Sequence, residues 1–162
     1  MWQKAISAVS GGGSLTEMTA LIPTMTSDTA PSGVAHIYSR ASATYAAYKA
    51  FDGNISTFAG HSGTDNWVAY KFPSAVSAKV AIVCAMSDSS SATLSNVKID
   101  ASNDFVDWQT LGTFTNISDT GLTLSKGEAK LIPINPTIPY QTYRVSWTGT
   151  TYDGISMFQI YD

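Results

Sequence analysis

From residue 34 onward the chain breaks into short runs of β-branched and aromatic residues separated by clusters of Gly, Pro, Asn, Asp and Ser, the pattern of an antiparallel all-β domain. The runs predict strands over "WVAYKF" (67–72), "AKVAIVCA" (78–85), "NVKIDAS" (96–102), "WQTLGTF" (108–114), "AKLIPIN" (129–135), "TYRVSW" (142–147) and "ISMFQIY" (155–161). Alternation sets Val97 and Ile99 on one face of their strand and Tyr143 and Val145 on one face of theirs, with polar partners opposite. "AKVAIVCA" is nearly continuous apolar sequence, as expected of a central strand covered on both sides. The Ala-rich "ASATYAAYKAF" (41–51) is the one place for a helical turn or two. Seven or eight short strands in about 130 residues fit a two-sheet sandwich such as a jelly roll.

The N-terminal part reads differently. It holds a short mixed segment, the triplet Gly11-Gly12-Gly13, and Thr/Met/Ala/Pro-rich sequence ending in "TAPSG". Consecutive glycines are too free in φ and ψ for an element interior and read as a hinge. We therefore expect an arm and linker over 1–30 and the sandwich over 31–162. No apolar run has the length of a signal-peptide core or a membrane span, so neither Sec export nor membrane insertion is expected.

Composition narrows the partners. Charged residues make up 13% of the chain, about half the usual share. Ser and Thr fill 40 of its 162 positions, which gives a hydroxyl-rich surface. Nine basic against twelve acidic side chains, with no basic cluster, exclude a phosphate-neutralising nucleic-acid surface. The single cysteine, Cys84, sits in apolar "KVAIVCAM" and reads as a small core residue, not a nucleophile. His36 and His61 lie in no nucleophile motif and lack zinc-ligand spacing, and Asp52, Asp65, Asp88 and Asp104 read as turn residues before paired catalytic carboxylates. No catalytic residue is expected. Trp67, Trp108 and Trp147 start or end strands and are expected in the core.

"YKAFDGNIST" (48–57) concentrates oxygen donors around a glycine: Asp52, Asn54 and Thr57 lie within six residues. Such a stretch is a strong turn signal, and it also supplies the hard oxygens that calcium takes, although not at EF-hand spacing.

"YKAFDGNISTFAG", "DNWVAYKF", "IDASNDFVDWQTLGTF", "YRVSW" and "ISMFQIY", in that order, resemble the discoidin-like domains, that is, the coagulation-factor type C domains and related galactose-binding-like carbohydrate-binding modules. The resemblance covers about four fifths of the chain, from residue 31 onward. It implies an eight-stranded jelly-roll β-sandwich that binds sugars through loops at one end. It also implies a structural calcium held by the Asp52 carboxylate, the Thr57 hydroxyl and carbonyl, and the backbone carbonyls of Lys49 and Asn54. The family often has an acidic residue in its last strand and Trp soon after the Thr. This chain has Met157 and Gln159 in the one place and Phe58 followed by Ala59 in the other.

Sugar sites combine a flat aromatic face with a few oriented polar groups. The expected ligand residues are His36, Tyr38 and Arg40 in a loop "AHIYSR", Asp88 in "AMSDSSSATL", and Tyr152 in "GTTYDG". The expected function is a non-catalytic glycan-binding or adhesion module. A start at Met1 without a leader points to a phage virion component (tail, fibre or capsid decoration), made in the host cytoplasm. In that setting "MWQKAISAVSGGGS" would dock on a virion protein, with Trp2 and Ile6 as anchors, and the protein would form oligomers within the particle. The alternative is a purely structural virion adaptor whose loops contact protein.

Overall fold

The computed structural model describes residues 4–7, 16–38, 42–61, 65–86, 94–116, 129–148 and 153–162. The strands are β1 (Lys4–Ser7), β2 (Thr16–Thr19), β3 (Val34–Ile37), β4 (Ala59–His61), β5 (Asp65–Val76), β6 (Val80–Ala85), β7 (Ser95–Ser102), β8 (Gln109–Asn116), β9 (Ala129–Pro133), β10 (Tyr140–Thr148) and β11 (Asp153–Tyr161). β1 and β2 make a two-stranded ribbon. The others form two antiparallel sheets, ordered β3-β5-β10-β7-β8 and β4-β11-β6-β9, which pack face to face as the expected all-β sandwich.

All seven predicted strands are present. β1, β2, β3 and β4 are additional, and at three or four residues each they are too short to show a period; the two packed sheets hold nine described strands where eight were expected. "AHIYSR" accordingly opens as strand β3 and not as a loop. The core is filled from both sheets by alternate residues, among them Tyr70, Ile99, Tyr143 and Val145 from the larger sheet and Val83, Phe158 and Ile160 from the smaller. β6 lies inside its sheet, as its apolar run required. Cys84 is buried within it, where desolvation raises the thiol pKa and keeps it protonated.

The Ala-rich segment forms two 3-10 turns, Ala43–Tyr45 and Ala47–Ala50, the first capped by the Ser42 hydroxyl accepting from Thr44 N at 3.2 Å. Ala47 and Ala50 are buried because only a small side chain lets the backbone of these turns lie against the core.

The expected boundary at residue 30 does not hold. Leu21 N donates to Ile160 O at 2.9 Å, Gln159 bonds Ile22 through both its amide atoms (Ile22 N to Oε1 at 3.0 Å, Nε2 to Ile22 O at 2.8 Å), and Met25 N donates to Phe51 O at 2.9 Å. Ile22 and Met25 are each 1% exposed and belong to the sandwich core. The packed unit therefore takes in these residues too. The glycine triplet, expected as a hinge, lies outside the described residues.

Candidate functional site

Strand pairing brings a set of chain ends together. Asp65 and Ser95 both stand opposite Thr148, Ser95 stands opposite Asn116, and Tyr38 N donates to Trp67 O at 3.2 Å. Asp153 pairs with His61 in the other sheet, so the same end of the sandwich carries the start of β11 and the end of β4. From here the chain leaves for Arg40, Asp88 and Tyr152, which lie outside the described residues.

A groove of about 490 Å³ opens at this end and runs over the outer face of the five-stranded sheet. Residues out of phase with the core make it. Val68 and Tyr70 point inward on β5, so Trp67 points outward. Val145 and Trp147 point inward on β10, so Arg144, Ser146 and Thr148 point outward. Registers Trp67↔Ser146 and Ser146↔Lys98 then align Tyr38, Trp67, Ser146 and Lys98 across four neighbouring strands, roughly 14 Å at ordinary strand spacing. Tyr38 is 63% exposed, and its ring centroid lies 6.2 Å from that of Trp67. The two rings form an aromatic wall, Ser146 the floor, and Lys98 with Asn96 the far side.

Arg144 is fixed before any ligand arrives. Its Nε and Nη2 donate to Asp100 Oδ2 at 3.2 and 2.8 Å, and its Cζ stacks 3.8 Å from the Trp108 ring centroid. Asp100 is held in turn by Thr110 Oγ1 at 2.8 Å. Beneath the groove the buried Asp153 carboxylate reaches from β11 to the other sheet, its Oδ1 accepting from Trp147 Nε1 at 2.9 Å and Asn66 Nδ2 at 3.2 Å. It thereby orients two groove-lining residues. Among the described residues the lining contains neither carboxylate nor imidazole; it offers aromatic faces, hydroxyls, amides and two cationic groups, a surface suited to holding a polar ligand.

Of the predicted ligand residues, Tyr38 lines the groove and His36 does not. On the outer face of β3, His36 meets the Phe105 ring edge-on at 4.9 Å, and its buried Nε2 has no hydrogen-bond partner among the described residues. Burial, then the Lys71 charge, lowers its pKa against an opposing pull from Asp28. Phe105 is delivered by a tight turn at φ +65°, in which Asp104 Oδ1 accepts from Val106 N and Asp107 N, both at 2.8 Å. These hydrogen bonds to the charged form hold the exposed Asp104 carboxyl below the usual range and confirm this aspartate as a turn residue. Trp147 is core as expected. Trp67 and Trp108 are not: both are half-buried on the outer face, flanking Arg144. Sequence reasoning misses Trp67, Asn96, Lys98, Arg144 and Ser146, although the alternation that assigns Tyr143 and Val145 inward assigns Arg144 and Ser146 outward.

The oxygen-rich stretch forms a closed turn around Gly53 at φ +72°. Asp52 Oδ1 accepts from Asn54 N at 2.9 Å, Asp52 Oδ2 from Thr57 Oγ1 at 2.6 Å, and Thr57 Oγ1 lies 2.9 Å from Asn54 O. One carboxylate, one hydroxyl and one carbonyl thus converge, donors of the kind a hard cation takes. Among the described residues no group of three His, Cys, Asp or Glu side chains could hold a metal. Of Met157 and Gln159, the two last-strand residues expected in place of an acid, Gln159 is occupied with Ile22; Lys49 extends its ammonium to 5.3 Å from the Tyr48 ring centroid. Phe58, where Trp is usual, stacks on Tyr45 at 5.0 Å.

Neither a family model nor a curated protein matches the sequence. Solved structures do match in fold. The F5/8 type C domain of a Bacteroides fragilis protein superposes with TM-score 0.68 at 18% identity over 90% of this chain and 96% of its own. The family 32 carbohydrate-binding module of Clostridium perfringens NanJ, in complex with galactose, gives 0.64 at 13% over 80% and 93%. Chitosan-binding module 2 of a Paenibacillus sp. IK-5 chitosanase/glucanase, in complex with chitotriose, gives 0.62 at 19% over 80% and 96%. The fold is that of the discoidin-like sandwiches.

Proposed function

We propose that the protein is a non-catalytic carbohydrate-binding module whose ligand rests on Trp67 and Tyr38 in the outer-face groove. The observation that carries this reading is the alignment of two aromatic rings, a hydroxyl floor and anchored polar side chains across four strands, which is the arrangement a sugar ring needs for one apolar and one hydroxylated side. Galactose and chitotriose on two modules of the same fold support it. A glycan array probed with the protein displayed as a multimer, so that weak single sites sum, should give binding that falls at least tenfold in Trp67→Ala and severalfold in Tyr38→Ala. No glycan bound by the folded wild type would refute the reading and leave the structural-adaptor alternative.

The setting we propose is a phage virion, with the β1–β2 ribbon as the docking segment. Among the described residues β1 pairs only with β2, whereas β2 also meets the sandwich through Asp162 N donating to Thr19 O at 3.3 Å, so the outer edge of β1 suits strand addition by a partner. Virion incorporation of a variant lacking residues 1–15, compared with wild type, tests this. We also propose that the Asp52 turn holds a calcium ion through the Asp52 carboxylate, Thr57 Oγ1 and the carbonyls of Lys49 and Asn54. The convergence of the Asp52, Asn54 and Thr57 oxygens supports this, and the ion would pin the turn without touching the ligand.

A further inference from the structure

We infer that the groove is selective for acidic glycans, specifically oligosaccharides bearing uronate carboxylates; this rests on the glycan-binding reading above. The groove's described charges are all of one sign. Lys98 and Arg144 line it and no described carboxylate does, in a chain that carries only nine basic residues and a net charge of −3. The nearby carboxylates are turned away. Asp100 is spent on Arg144 and Thr110, and Asp153 lies under the surface against Trp147 and Asn66.

Lys98 is exposed and has no ion pair among the described residues. Arg144 uses Nε and Nη2 on Asp100, while its Nη1 bonds no described residue. Both cations flank Ser146, Lys98 directly opposite it on β7 and Arg144 two residues before it on β10. A sugar stacked on Trp67 thus finds Arg144 close by, 6.0 Å from the indole centroid. The next sugar along the row meets Lys98, about 10 Å from Trp67 by two strand spacings. A carboxylate there replaces the water around an otherwise unpaired ammonium. A neutral hydroxyl gains less from the same contact, because charge-assisted hydrogen bonds are the stronger ones.

The experiment compares polygalacturonate and polymannuronate fragments with the same fragments after reduction of their carboxyls to alcohols, together with dextran sulfate. The proteins are full-length wild type, Lys98→Gln and Trp67→Ala, each checked for folding by thermal melt. The expected result is at least about fivefold preference for one or both uronate fragments over the reduced forms. That preference should shrink in 0.5 M salt and be largely lost in Lys98→Gln, while Trp67→Ala loses both fragments. Equal binding of uronate and reduced fragments, both lost in Trp67→Ala, would overturn the acidic preference and leave the glycan reading standing. Dextran sulfate bound as well as the uronates would also overturn it, since the groove would then read charge alone. Binding of none of the probes, with the glycan array also blank, would remove both.

Discussion

The five-stranded sheet shows two faces made from alternate residues of the same strands, and the two obey different rules. On the inner face Tyr70, Ile99, Tyr143 and Val145 are all at 0% exposure, each determined by the volume it fills. On the outer face Trp67, Lys98, Arg144 and Ser146, which alternate with inward residues along their strands, are determined by what they present. A shift of one residue in strand phase would exchange the two sets completely, so the register that fixes the core also places the groove.

The sharpest way to break the comparison is to cut the inner face. Ile99→Ala leaves a cavity between the sheets and should cost about 2–5 kcal/mol in urea unfolding, with the glycan affinity of the remaining folded protein unchanged. An outward position should behave oppositely. Trp67→Ala should abolish binding while costing only about 1 kcal/mol of stability, because that side chain is half-buried. Comparable stability losses at both positions would show that the outer row is core after all.

Asp100→Ala tests the boundary between the two kinds of residue. It removes the carboxylate that fixes Arg144 and Thr110, and should cost about 1–2 kcal/mol while also weakening binding, since Arg144 is left held only by its stack on Trp108. A stability loss with unaltered binding would take Arg144 out of the site.

How far these faces are legible in the sequence follows from the length over which a pattern repeats. β10 is nine residues long, and its alternation alone sets Tyr143 and Val145 inward. The same period points Arg144 and Ser146 outward, but nothing in one strand says which outward residues of four strands meet. That needs the registers Trp67↔Ser146 and Ser146↔Lys98, which are set by long-range pairing. β3 looks like a loop in the sequence because four residues of mixed polarity carry no period. Ile22 and Met25 look like part of an arm because Thr/Met/Pro-rich sequence has the composition of a linker, whereas Gln159, reaching back to Ile22, draws it into the core.

The Asp52 turn stands outside both faces, and calcium there should stabilise without affecting ligand. At a calcium concentration ten times its dissociation constant, linkage gives about 1.4 kcal/mol, a melting shift of about 3–5 °C for a domain of this size. Chelator should remove the shift, Asp52→Ala should abolish it, and glycan binding to wild type should be the same with and without chelator. An unchanged midpoint on chelation from saturating calcium would end the calcium proposal, leaving a turn closed by its own hydrogen bonds.

The smallest expected effect belongs to His36, where the outer face behaves like the inner one. Its ring lies against Phe105, with Lys71 and Asp28 as the charged groups acting on it, and burial depresses its pKa below the ordinary 6.5. The fold therefore favours neutral imidazole. That contribution to stability is complete above pH 6.5 and declines as pH falls through the depressed folded value, because the unfolded chain takes up the proton first. The urea midpoint should thus be slightly lower at about pH 5.5 than at about pH 7.5. His36→Gln should flatten the difference. The lowered Asp104 carboxyl does not interfere, since its contribution is lost only near and below pH 3.8. A midpoint that rises on acidification would mean that His36 is stabilised as the cation, and that Asp28 outweighs both burial and Lys71.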